Sequence, residues 1–172
     1  MIVDIHEFIS KSKRHWEEEG FVKLNEATAR EIGFTALDAW VMSTIGLPKW
    51  VAPHIALTSP EQIASGRWLG SLVIGEDQFD NNIIYKAHCG ELIVDVPECG
   101  ESHVAVGVFE FICQIIYYAD MIESAVENGD RLAAKKNRIT ERLVSNFEQN
   151  LLQSVSGVTQ FWKSEIARLR RG

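Results

Sequence analysis

Residues 68–111, WLGSLVIGEDQFDNNIIYKAHCGELIVDVPECGESHVAVGVFEF, decide the fold. Apolar runs at 69–75, 83–86 and 92–96 are rich in Val, Ile and Tyr and bounded by Gly, Asp, Asn or Pro, the composition of strands joined by tight connections. The spacing predicts an antiparallel meander. The apolar stretch after it predicts a helix covering one face. Acidic residues gather in the same segment, so one stretch supplies both core strands and a charged surface.

Downstream, apolar residues at 108, 111, 112, 115, 116, 119, 122 and 126 keep a helical period, and Asn128-Gly129 supplies a stop. Apolar around much of its girth, this helix is expected to be the central packing element, each buried large side chain contributing about 1.5–3 kcal/mol. Residues 130–153 predict a second helix, capped by Asp130, with Leu132, Ile139, Leu143, Phe147 and Leu151 as a narrow apolar stripe. Ser154-Val155-Ser156-Gly157 breaks it. A last helix over 158–169 presents Val158, Phe161, Trp162, Ile166 and Leu169; Arg168, Arg170 and Arg171 gather at its end, where the helix dipole favours cations.

Upstream, residues 35–45 place Leu37, Trp40, Val41, Thr44 and Ile45 at helical spacing, with Thr35 as cap and Gly46 and Pro48 as the stop. Residues 2–16 predict an amphipathic helix through Ile5, Phe8, Ile9 and Trp16, ended by Gly20. Residues 21–24 read as a short extended piece, and Asn25 as the cap of a helical turn through residue 32. Residues 49–67, with Trp50, Pro53, Pro60 and Gly66, read as irregular chain wrapping a sheet edge, with a short strand at 55–58. The expectation is an α+β fold: a single domain spanning 1–172, with a central, mostly antiparallel sheet and flanking N- and C-terminal helices.

The chain has 172 residues, 46% of them hydrophobic, enough for one sizeable core. No apolar run approaches the roughly 20 residues that cross a bilayer. The opening MIVDIHEFISKSKRHWEEEG places its basic residues after the apolar ones, and Glu17, Glu18 and Glu19 where a cleavage site would fall, so a cytoplasmic protein is expected. Three cysteines, Cys89, Cys99 and Cys113, predict reduced thiols rather than a disulfide framework.

The net charge of −7 is unevenly spread. Residues 61–130 carry thirteen Asp and Glu against Arg67 and Lys86, whereas residues 131–172 carry nine Lys and Arg against three Glu. An acidic region disfavours gripping phosphates and favours a basic partner. The plainer account is that acidic surface keeps a protein soluble.

Constellations that could carry chemistry are sparse. Cys89, Cys99 and His103, with His88, are metal-ligand types, but neither cysteine belongs to the close pair that structural zinc uses, and small buried or turn cysteines are the better account. No G-x-S-x-G elbow occurs, and His88 and Cys89 as strand neighbours point to opposite faces, which disfavours a hydrolase. His6, His15 and His54 read as surface or boundary residues. Gly75-Glu76-Asp77 lacks the lysine of a phosphate loop, and Glu76, Asp77 and Asp80 lack EF-hand spacing. The basic segment 131–142, with Arg131, Lys135, Lys136, Arg138 and Arg142, has no interleaved aromatic residue and reads as a solvated helix face, so no nucleic acid is expected. A chain with a good core and no catalytic constellation is most naturally a binding module: no enzyme, no cofactor, no metal, no membrane.

The order of these pieces resembles the SUKH superfamily, with its Smi/Knr-type and Syd-type proteins. The landmarks are the helix ending in Gly46-Leu47-Pro48, the strand Leu72-Val73-Ile74-Gly75 leading to Glu76-Asp77, the pair Ile83-Ile84-Tyr85-Lys86 and Gly90-Glu91-Leu92, and the strand and helix around 109–118, with a terminal Phe161-Trp162. The chain departs from the Asn-Ser-Ser type of helix entry, having Ala105-Val106-Gly107 there. For bacterial members the resemblance implies an immunity protein that neutralises a cognate polymorphic toxin, often a nuclease or nucleic-acid deaminase, by stoichiometric binding. With the charge reading, it points to Glu76, Asp77, Asp80, Glu98 and Glu101 as contacts to a basic toxin surface, and to Trp50 and Trp68 as anchors. A solvated turn for each acid and core packing for each Trp are the bland accounts. A SUKH-like scaffold or regulatory module binding an endogenous protein is the alternative function. The oligomeric state stays open, a homodimer included.

Overall fold

Short polar turns between β-branched runs make a meander the natural outcome, and a meander is what forms. A computed structural model describes residues 5–16, 20–51, 55–65, 70–77, 79–87, 89–127 and 139–171. In chain order the elements are α1 (Ile5–Trp16), β1 (Phe21–Val22), α2 (Glu26–Ile32), α3 (Ala36–Thr44), β2 (Leu47–Pro48), β3 (Trp50–Val51), β4 (Ile55–Leu57), α4 (Pro60–Ser65), β5 (Ser71–Glu76), β6 (Asn82–Lys86), β7 (Glu91–Val96), β8 (Gly100–Ala105), α5 (Val108–Glu127), α6 (Glu141–Leu152) and α7 (Gln160–Arg171). Strands β3 to β8 form one antiparallel sheet in sequential order, and β1 pairs with β2 in a second. The architecture is the expected α+β domain. No helix among the described residues is long and apolar enough to cross a membrane.

Leu72, Tyr85, Leu92 and Ala105 stand opposite one another across β5 to β8, and all four are buried. Side chains alternate faces along a strand, so the next row, Val73, Ile84, Ile93 and His103, looks the other way, and only its Ile93 is buried. Helix α5 buries Phe111, Ile112, Ile115 and Ile116 and packs against α1, α3, α6 and β8. Helix α7 lies on β8 and α6.

The joint between α3, the sheet and α5 rests on one carboxylate. Asp38 is 3% exposed. Its Oδ1 accepts from Val108 N at 2.8 Å, and its Oδ2 accepts from the Tyr85 hydroxyl at 2.8 Å and from Thr35 Oγ1 at 2.7 Å. Burial, with the nearby Asp38 charge, raises the Tyr85 hydroxyl well above the ordinary phenol range. This geometry accounts for Ala105-Val106-Gly107 at the start of α5. The first-turn N–H that a local hydroxyl would satisfy is satisfied from α3 instead. A Cβ at Gly107 would stand 3.0 Å from Asp38 Oδ1, so only glycine leaves the carboxylate its place without pushing it aside.

Three expectations need correcting. Residues 49–67 do not merely wrap the sheet edge: β3 and β4 extend the sheet, with Trp50 opposite Ala56 and Ala56 opposite Glu76. Strands of two or three residues are too short to display a period. The same stretch holds α4, whose signal was present as Ser59-Pro60-Glu61-Gln62: Ser59 Oγ accepts from Gln62 N and Gln62 Oε1 accepts from Ser59 N, a reciprocal capping box with proline at the first helical position. The helix expected as continuous over 130–153 is broken at Thr140, extended at φ −60 and ψ 141, and is described from Glu141 onward. Ile139 is buried ahead of that helix, so its place in the apolar stripe reflected burial and not helical phase. Asp130 and most of the basic run lie outside the described residues. Elsewhere the caps are as expected: Asn25 accepts from Ala27 N, and Thr35 from Asp38 N.

The basic C-terminal end is used internally. Arg168 bonds Glu165 and the Tyr118 hydroxyl, Arg170 bridges Glu141 and Glu148, and Arg171 Nε donates to Ala167 O.

Candidate partner-binding site

In a meander, alternate turns emerge at the same end of the sheet. The β5–β6 turn carries Asp77 and Asp80 with Glu76 at its entry, and the β7–β8 turn carries Glu98 with Glu101 just beyond. All five acids therefore share one end. Trp50 joins them, because Trp50, Ala56, Glu76 and Asn82 stand in one row across four strands and all are exposed. Six of the seven residues singled out from the sequence converge; Trp68 lies outside the described residues.

The acids play unequal parts. Asp77 Oδ1 accepts from Phe79 N at 2.8 Å and Asn81 N at 3.0 Å, and its Oδ2 accepts from Asn81 Nδ2 at 3.0 Å. Its carboxylate organises the turn, which is also why the Glu76, Asp77 and Asp80 group makes a poor calcium loop. Glu76 and Asp80 are exposed, and Glu101 pairs with Lys86. Glu98 is exposed at φ 67, Asp80 at φ 59. Glu98 follows Pro97, and Cys99 N donates to Val96 O at 3.1 Å, a turn whose third position normally goes to Gly or Asn.

Behind these turns a groove of about 640 Å³ separates the sheet end from α7. Val96 on the sheet and Phe161 on α7 supply apolar surface over the buried Val94 and Trp162, and Phe79, 69% exposed, lines it from the β5–β6 turn. Asp77, Glu101 and Glu165 line it too, and no Lys or Arg does so among the described residues. Thr159 and Ser102 also line the groove, and both Thr159 Oγ1 and Ser102 Oγ are buried without a hydrogen-bond partner among the described residues.

Along the groove runs a chain of polar contacts. His103 Nδ1 lies 2.6 Å from Glu91 Oε1, His103 Nε2 lies 3.0 Å from Ser156 Oγ, and Ser156 Oγ donates to Glu110 Oε2 at 2.6 Å. Carboxylate, imidazole and hydroxyl in that order resemble a nucleophilic relay. The hydrogen bonds argue otherwise. The single Ser156 proton is held by Glu110, Ser156 N also donates to Glu110 at 2.7 Å, and Gly157 N, the amide that would serve a developing oxyanion, donates to Ser154 O. Burial works to raise the Glu110 carboxyl, but hydrogen bonds from Ser156 and Val106 N outweigh it and hold it below the usual carboxylate range. The chain fastens the α6–α7 loop to α5 and β8.

Metal-ligand types do not gather as their spacing allowed. Cys89 is exposed in the turn after β6, not on a strand, and Cys99 is exposed at the far end of β7, roughly 20 Å away at about 3.3 Å per residue. His88 lies outside the described residues. Cys113 is buried, which pushes its thiol up to about 12. Among the described residues one cluster has ligand-like spacing, His15, Asp120 and Glu123. Arg14 occupies it, 2.8 Å from both carboxylates, so the position a cation would take is filled by a guanidinium tying α1 to α5.

Sequence reading missed Phe79, Thr159 and Ser102. Phe79 left a signal, an aromatic residue amid Glu-Asp-Gln and Asp-Asn-Asn. The two hydroxyls left none. No family model, curated protein or solved structure matches the chain.

Proposed function

We propose that the chain is a stoichiometric inhibitor, an immunity protein of the SUKH kind. In this reading it acts in the cytoplasm, covering the basic cleft of a nucleic-acid-targeting toxin with the acidic end of its sheet. The observation that carries the reading is the convergence of Glu76, Asp80, Glu98 and Glu101 with two exposed aromatics, Phe79 and Trp50, the latter 43% exposed, at one end of a rigid sheet. Aromatic anchors inside a charged rim are the usual anatomy of a tight interface. Carboxylates aimed at a cleft built for phosphates steer association and exclude substrate. No bond is made or broken.

Backbone strain at Glu98 supports the same reading. A glutamate at φ 67 is less comfortable there than glycine. Glu98→Gly is expected to stabilise the protein by about 1 kcal/mol in urea unfolding while weakening the complex; a stability loss would show that the side chain is held there for structural reasons.

The direct test is co-expression with the product of the adjacent gene. A 1:1 complex that loses affinity with rising salt is expected, and no complex, at a locus without a toxin gene, would overturn the reading. Glu76→Lys combined with Asp80→Asn should lower affinity at least about tenfold, mostly through association rate, with the melting temperature little changed because both side chains are exposed and asparagine accepts the φ of 59 at position 80. Unchanged affinity would remove this end of the sheet as the contact.

A further inference from the structure

We infer that the exposed half of β8 accepts an extended segment of the partner as a further strand of the sheet, one whose basic side chains alternate with apolar ones. The inference rests on the preceding reading for the partner's identity and adds the manner of contact.

The starting point is an edge left open. Strand β8 pairs with β7 on one side and ends the six-stranded sheet on the other. In an antiparallel pair alternate residues turn their N–H and C=O toward the partner strand, and the rest turn theirs away. Among the described residues no backbone group of β8 bonds to backbone outside the sheet, so the outward groups have no backbone partner. The far half of the edge is covered. Val104 and Ala105 are buried, and the α6–α7 loop is fastened beside them through Ser156 to His103 and Glu110. The near half is open, since Gly100 and Glu101 are exposed.

The groove follows this open edge. Gly100, Glu101, Ser102 and His103 all line it, although Glu101 and His103 belong to one face of the strand and Gly100 and Ser102 to the other. A space lined from both faces runs along the edge that joins them.

An open edge invites pairing, and the charges on it decide with what. Asp95 and Glu101 stand directly opposite each other on the outer face, both exposed, a like-charge pair that is unfavourable in the chain alone. Lys86 pairs with Glu101, and no salt bridge reaches Asp95 among the described residues. A cationic side chain on an added strand falls in the same row, beside Glu101, and relieves the repulsion. Two copies of this chain pairing edge to edge would set two such carboxylate pairs side by side, which disfavours a second copy as the occupant. The neighbours of the cation on the added strand point to the opposite face, where Val96 and Phe161 supply apolar surface. In strand addition, main-chain hydrogen bonds give the affinity and alternate side chains the specificity.

The test uses the whole isotope-labelled chain and blocked hexapeptides in NMR titrations. The probe alternates lysine and valine, and an alternating glutamate and valine peptide carries the opposite charge. Saturable amide shifts and slowed hydrogen exchange at residues 100–103 are expected with the lysine probe, and no binding with the glutamate peptide. Two further probes are N-methylated, one at every lysine and one at every valine. Because alternate amides of a strand face the sheet, one of these should still bind and the other bind at least about tenfold more weakly. Asp95→Asn combined with Glu101→Gln should weaken the lysine probe at least about fivefold, with the melting temperature little changed because both side chains are exposed. No binding of the lysine probe, equal behaviour of the two N-methylated probes, shifts confined to residues outside β8, or undiminished binding to the double variant would each overturn the assignment. Slowed exchange at 100–103 that appears without peptide and grows with protein concentration would assign the edge to a second copy and overturn it too. A protein complex whose β8 amides exchange as fast as in the unbound chain removes strand addition and leaves the inhibitor reading. A probe that binds when no protein partner does keeps the edge and removes that reading.

Discussion

Replacing Asp38 with alanine is expected to destabilise the protein by about 3–4 kcal/mol, the larger because the side chain serves three donors at once. The Val108 N–H, the Tyr85 hydroxyl and the Thr35 hydroxyl all donate to it in a site 3% exposed. Each donor left unsatisfied in a buried site costs about 1–3 kcal/mol, partly relieved where the chain relaxes toward water. For a domain of this length the loss corresponds to a fall of roughly 10 °C in melting temperature. Asp38→Asn keeps one acceptor oxygen but turns an NH2 toward other donors, and should fall between the two. Urea unfolding of the three proteins measures this. A cost under about 1 kcal/mol for alanine would mean that α5 starts without help from α3.

The second large effect belongs to Trp162. It is fully buried, with ring contacts to Phe147 at 5.4 Å, Tyr118 at 5.9 Å and Phe161 at 4.9 Å, and its Nε1 donates to Gln114 Oε1 at 2.8 Å. Trp162→Ala removes the largest apolar group joining α7 to α5 and α6, for which about 3–5 kcal/mol is typical. It also strips Gln114, itself buried, of a donor to its carbonyl, while its amide Nε2 has no partner among the described residues. Trp162→Phe separates the two contributions: the apolar surface largely survives and the hydrogen bond does not, so about 1–2 kcal/mol is expected. Calorimetry or urea unfolding decides it. A Phe variant as damaging as the Ala variant would place the weight on the polar contact.

Much of this arrangement was legible in residues 68–111. The Val, Ile and Tyr runs became β5, β6 and β7, and the 108–126 period became α5, because both patterns are local and long enough to declare themselves. The acids, read as turn residues, had to share an end once the strands formed a meander, so most of the candidate site followed from strand order. The pieces that stayed hidden are those whose meaning is a partner far along the chain. Asp38 has no local pattern that marks its role, since it answers Tyr85 and Val108, 47 and 70 residues away. Glu110, in the first turn of an apolar helix, anchors Ser156, 46 residues on.

The sequence by itself determined the class of fold, the central helix, the caps at Asn25 and Thr35 and the gathering of acid at the strand turns. These depend on periodicity, turn chemistry and charge within a few residues of one another. The tertiary structure alone decided that Asp77 holds a turn while Glu76 and Asp80 face outward, and that a groove opens between the sheet end and α7. Those properties arise only when segments distant in sequence pack together, since packing decides which polar groups find partners.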